Sequence, residues 1–257
     1  HREARPILES LLGSGSDDDR VRAEYGRVLW VLGDASRAGT QFQSALAGNP
    51  ENLSALIGLS EIAVFRGSYP QALSWAQQAV RFHAKNPDAH VQVGKVRAAE
   101  GDWLSAAGSF EAALNLVPSR RDVLDLLTDA LVRAGRHRQA VEVLFKALAA
   151  DPKYAGTYRK LAEVQTASGK LSDAAGTLEW GASRVPEEGH ILYREAARLR
   201  ERALEFGQAF LDYRAMLRSA PQETARRLTD ELSSHFRYLS LSLGSSALDP
   251  LHAQGND

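Results

Sequence analysis

Three carboxylates, Asp122, Asp125 and Asp129, stand three and four residues apart. On a helix that spacing puts them on one face, where like charges repel unless a cation or a basic partner compensates them. Farther along, Arg159, Lys160, Arg194 and Arg200 offer the opposite charge. The run Asp17-Asp18-Asp19 is a second acidic cluster, but it lacks the spacing of a calcium loop and reads as a solvated linker. The seven histidines are scattered, and none has a second histidine three to five residues away, so no zinc site is expected. His90 and His137 fall at recurrent places and read as core or turn residues. There is no Gly-x-Gly-x-x-Gly, Gly-x-x-x-x-Gly-Lys, His-Glu-x-x-His or Gly-x-Ser-x-Gly. No catalytic residue, cofactor site or metal site is therefore expected. Asn52-Leu53-Ser54 forms a glycosylation triplet of a kind common by chance. What remains is charge and aromatic surface.

Composition narrows the classes further. Among 257 residues, 44% are hydrophobic and 25% charged, as in ordinary soluble proteins. The net charge of −1 provides no global field for nucleic acid or an anionic membrane. No apolar run approaches the roughly 18 residues that span a bilayer, so no membrane insertion is expected. The absence of cysteine excludes disulfides and thiolate metal ligands without fixing a compartment. The start, His1-Arg2-Glu3-Ala4, is not that of a signal peptide. With Met216 the only methionine, the chain is expected to be an excised or processed piece. Arginine outnumbers lysine, a weak pointer to a bacterial source; periplasm and cytoplasm both stay open.

The elements that must position these residues repeat. Counted from Asp19, a unit of 34 residues recurs six times. Its eighth place is always small: Gly26, Ser60, Gly94, Thr128, Ala162 and Ala196. The fifteenth holds Gly33, Gly67, Gly101, Gly135, Gly169 and then Ala203. The twentieth holds Ala38, Ala72, Ala106, Ala140 and Ala174, and the twenty-seventh Ala45, Ala79, Ala113, Ala147, Gly181 and Ala215. Self-similarity at a fixed period marks a solenoid. In the third unit, the pattern predicts a helix over 88–100, a break at Gly101-Asp102 and a second helix over 103–116 ended by Pro118. The small places let paired helices approach closely, with Phe42, Phe110, Leu144 and Leu178 filling the space around them. The fold class is all-α, built of helix-turn-helix pairs.

The stretch Pro87-Asp88-Ala89-His90, Val93-Gly94, Gly101-Asp102-Trp103, Ala106, Phe110, Ala113 and Pro118 resembles the tetratricopeptide repeat. The resemblance covers residues 19–222, as units 19–52, 53–86, 87–120, 121–154, 155–188 and 189–222. The second unit departs from it with Ala84 in place of proline. The sixth has Ala203 for glycine and a second helix one residue late, through Ala209, Tyr213 and Met216. The fold implied is a right-handed α-solenoid with a concave groove. Residues 1–18 read as a half-repeat helix with an acidic linker, either a cap or the cut end of a longer array. Residues 223–243, with Leu228, Leu232, Phe236, Leu239 and Leu243 on one stripe, read as a C-terminal capping helix, and 244–257 as a flexible tail.

The resemblance implies a wall built from the first helix of each unit. In this chain the wall carries Arg27, Trp30, Glu61, Phe65, Lys95, Asp122, Asp125, Asp129, Arg159, Lys160 and Arg194, with Arg200 near its end. Such a groove is acidic in its middle and basic toward its C-terminal end. It lacks the lysine and asparagine pattern that clamps chaperone C-termini. Trp30 is the aromatic candidate for partner contact, whereas Trp75, Trp103 and Trp180 read as packing residues. The function implied is non-catalytic binding of a protein or peptide, with self-association through the end repeats left open. The alternative is a structural segment of a longer bacterial repeat protein, such as a component of polysaccharide export or of pilus or envelope assembly.

Overall fold

The computed structural model describes residues 4–13 and 18–243, with backbone alone for 13, 234 and 236–243. Among the described residues there are helices and no strand. The chain falls into two compact units, His1–Ala134 and Gly135–Asp257.

The first unit contains α1 (Ala4–Gly13), α2 (Asp19–Val31), α3 (Ala35–Gly48), α4 (Leu53–Phe65), α5 (Tyr69–Phe82), α6 (Pro87–Glu100), α7 (Trp103–Leu116) and α8 (Arg121–Arg133). Each helix packs on the next, and α4 also touches α2 and α6, so the first helices of successive pairs lie side by side. The second unit contains α9 (His137–Ala150), α10 (Ala155–Ala167), α11 (Leu171–Arg184), a 3₁₀ turn (Pro186–Glu188), α12 (Gly189–Arg202), α13 (Phe206–Ser219) and α14 (Gln222–Leu243). These again pack consecutively. In both units this is the architecture of an α-solenoid.

Local chemistry explains the boundaries. Asp18, Asp34, Asn52, Asn86 and Asp102 each accept a backbone N–H from the first turn of the helix they precede, the hydrogen bond that satisfies an otherwise orphaned donor. Gly33, Gly67, Gly101, Gly135 and Gly169 all have positive φ. A Cβ added at any of the five would meet nothing within 4 Å, so the backbone conformation alone demands glycine there. In the sixth unit α12 runs to Arg202, and the left-handed residue is Leu204, φ 62°. The turn has therefore slid by one residue, and Ala209 takes the buried small place on α13.

The small columns are packing contacts. Ser60 Oγ donates to the carbonyl of Ala72 at 2.9 Å, bringing the eighth and twentieth places together across the α4–α5 pair. A Cβ on Gly94 would lie 2.4 Å from the Phe110 ring, and one on Gly26 2.8 Å from Phe42. The twenty-seventh place packs in two directions. Ala79 packs with Ala89 of α6 and also with Leu56 of its own pair. Trp75 packs into the apolar cores on either side of α4, whereas Trp103 lies under the Arg133 guanidinium at 4.8 Å. Trp180 is 38% exposed rather than fully packed, edge-on to Tyr158 and tilted against Phe145. Asn52 caps α4 and donates to Asp19 at 2.8 Å, so this buried asparagine serves the α2–α4 junction rather than a glycan.

Leu8 and Leu12 of α1 pack on the first core cluster, and Tyr25 donates its hydroxyl to Glu9 at 2.7 Å. At the other end, Leu228 and Leu232 of α14 cover Ala197, Tyr213 and Met216. The side chains of Phe236, Leu239 and Leu243, and residues 244–257, lie outside the described residues.

Candidate binding cleft

A cleft of about 620 Å³ crosses the first helices of the N-terminal unit. Arg27 and Trp30 come from α2, Ile57, Gly58 and Glu61 from α4, Val91, Gln92 and Lys95 from α6, and Asp122, Asp125 and Leu126 from α8. Gly58 has a specific task in its floor. A Cβ there would stand 2.3 Å from the Phe42 ring, so only glycine lets that ring reach the cleft. Beside it, buried Gln92 donates to Ser60 Oγ at 3.0 Å, which ties α6 to α4 beneath the opening.

Six of the residues expected on the wall thus come together: Arg27, Trp30, Glu61, Lys95, Asp122 and Asp125. Phe65 stands next to the cleft, 74% exposed, with its ring edge-on to Trp30 at 5.6 Å. Asp129 is exposed on α8. Arg159, Lys160 and Arg194 belong to the second unit. There Arg159 bonds Glu188 and Glu195, Lys160 bonds Glu163, and Arg194 bonds Glu231 of α14. These pairings offset the charge that the sequence assigns to a basic end. Arg200 is not a wall residue. It sits among Glu179, Glu205 and Asp212, between α11, α12 and α13.

Two charged cleft residues, Arg120 and Asp88, escaped the sequence reading. Arg120 bridges Asp88 at 2.8 Å and Asp122 at 2.7 Å. Its guanidinium holds the Asp122 carboxyl below the usual carboxylate range, and the two acids hold Arg120 above the ordinary arginine value. The repulsion expected along the α8 face is thereby offset at Asp122. Arg120 lies in the turn before α8, in no repeating column, whereas Asp88 shares the second place with Asp122 and could have been found there.

No set of histidine or carboxylate side chains suited to a metal occurs among the described residues. Among them, too, no helix is long and apolar enough to cross a membrane. The arrangement can hold a ligand by apolar contact and by charge.

Two family models described as tetratricopeptide repeat match residues 26–90 and 131–191. A search of the curated proteins finds no match. Among solved structures, the C-terminal part of a TPR repeat-containing protein from Cytophaga hutchinsonii is 14% identical, with a TM-score of 0.65 over 85% of this chain and 88% of that one. A tetratricopeptide repeat protein from Parabacteroides merdae is 16% identical, with a TM-score of 0.55 over 88% and 89%. YrrB, titled a TPR protein with an unusual peptide-binding site, is 16% identical, with a TM-score of 0.53 over 76% and 97%. At these identities the likeness is one of fold. Together with the family models and the recurring helix pairs, it makes the chain a member of the tetratricopeptide repeat family.

Proposed function

We infer that this protein is a non-catalytic interaction scaffold whose N-terminal unit holds a segment of a partner protein between α2, α4, α6 and α8. The observation that carries this reading is the cleft, to which four successive first helices each contribute apolar and charged side chains. Trp30, half-buried and braced by Phe65, supplies the rigid aromatic surface favoured at binding hot spots. Peptide binding by YrrB, a protein of the same fold, is consistent with it.

A displayed peptide library selected on the full chain tests this. Trp30→Ala should weaken the enriched peptides about tenfold or more, the loss of a hot-spot contact worth over about 1 kcal/mol. Asp125→Lys/Asp129→Lys should weaken them as well, with helix content unchanged by circular dichroism. Peptides that bind both variants as they bind the parent would refute the cleft as the site.

A further inference from the structure

The ninth place of the first four units holds Arg27, Glu61, Lys95 and Asp129. The sign of the charge reverses at each step. The first three line the cleft, one from each of α2, α4 and α6. On α8 the cleft is lined by Asp122 and Asp125, so the fourth row is acidic as well.

Opposite charges on neighbouring helices would be expected to close on one another, and these do not. Arg27 bonds Glu24 of its own helix at 2.6 Å, an exposed pair of the kind that contributes little. Glu61 and Lys95 make no ion pair with any described residue. Along the ninth places of α2, α4 and α6 the cleft therefore presents plus, minus and plus in sequence, with apolar Trp30, Ile57 and Val91 beside the row.

The spacing selects the conformation of a ligand. Helices in contact, as α2–α4 and α4–α6 are, lie about 8–10 Å apart. A polyproline II segment turns once every three residues and rises about 3.1 Å per residue, so it repeats its face every ~9 Å. One charge per turn keeps all charges on one side and in step with the helices. A β-strand fails this match, because residues three apart point to opposite faces. An α-helix would need a charge every seven residues or so.

We propose that the cleft selects an extended, polyproline II segment carrying acid–x–x–base–x–x–acid, the three charges set against Arg27, Glu61 and Lys95. This rests on the cleft reading above and adds the order of the partner's charges to it.

Four fluorescent peptides test it by anisotropy on the full chain. The first repeats Asp-Pro-Ala-Lys-Pro-Ala-Asp. The second has the same composition with its charges in blocks. The third exchanges acids and bases, and the fourth spaces the charges by seven on an alanine helix. The first should bind at least about tenfold tighter than the others at low salt and lose most of that lead as salt screens the charges. Lys95→Glu should abolish the preference, and a peptide ending in lysine instead of aspartate should restore binding to that variant. Equal binding of the first two peptides, tightest binding of the third or of the seven-spaced helix, or indifference to Lys95→Glu would overturn the proposal. If library-selected ligands still require Trp30 while charge order has no effect, the charge ladder falls and the cleft reading stands. If Trp30 is also dispensable, both fall.

Discussion

Asp212 should make this protein less stable as pH rises toward neutrality. Its side chain is 3% exposed on α13, and its Oδ2 has no hydrogen-bond partner. Arg200 of α12 lies 3.8 Å away through Nε, but its guanidinium is committed to Glu179 of α11 at 2.7 Å and to Glu205, which precedes α13, at 2.6 Å. Three carboxylates thus surround one cation. Burial pushes the Asp212 carboxyl up to about 7, the charge of Glu179 adds to this, and Arg200 opposes it. Between the ordinary value of 3.8 and 7 the folded chain holds a proton that the unfolded chain has released. Unfolding free energy therefore falls across that window, by linkage. The full effect is roughly 4.5 kcal/mol at about 1.4 kcal/mol per unit, and between pH 5 and pH 8 it comes to about 2.5 kcal/mol. Asp212→Asn removes the titration and keeps the shape. Guanidinium unfolding of parent and variant from pH 5 to 8 isolates the term, because all other groups are shared. The variant should gain about 2–3 kcal/mol on the parent across that range. Parallel curves would refute the reasoning, since they would mean that Asp212 is ionised at pH 5 or that solvent reaches it.

Leu204 sits at φ 62° and is 74% exposed, so it carries backbone strain without packing in return. Leu204→Gly should raise the unfolding free energy by about 1 kcal/mol; a drop in the chemical-denaturation midpoint would contradict this. Gly94→Ala sets a gain of about 1 kcal/mol in helix propensity against a Cβ placed 2.4 Å from the Phe110 ring. Overpacking, at about 1–3 kcal/mol, should win, and a Phe110→Leu partner substitution should recover much of the loss in a double-mutant cycle. A Gly94→Ala protein as stable as the parent would mean that the ring moves aside freely.

The helix pairs were legible because the same contact is made again in every unit. Ala106 and Gly94 are small for the reason that Ala72 and Ser60 are, and repetition turns one packing constraint into a visible column. The slipped turn at Leu204 was legible in part. Ala203 and the late second helix were in plain view, but the residue taking the left-handed conformation follows from the length of α12. Arg120 could not be read, since its partners Asp88 and Asp122 lie on different helices and it stands outside the repeating places. Arg200 was misread for a related reason. Its place in the unit suggests a wall, yet the carboxylates Glu179 and Asp212 come from neighbouring helices and draw it inside.

These failures share a cause that also says where specificity can reside. A column that packs is under the same constraint in every unit, so its residue type stays constant and the period reveals it. In the first three units the ninth place lines the cleft, where packing sets little limit on it: Arg27, Glu61 and Lys95 share neither sign nor shape. The fold tolerates any solvated side chain there, and a difference in charge costs little stability. Positions that the architecture leaves free are the ones through which one array can discriminate among partners that another array of the same shape cannot.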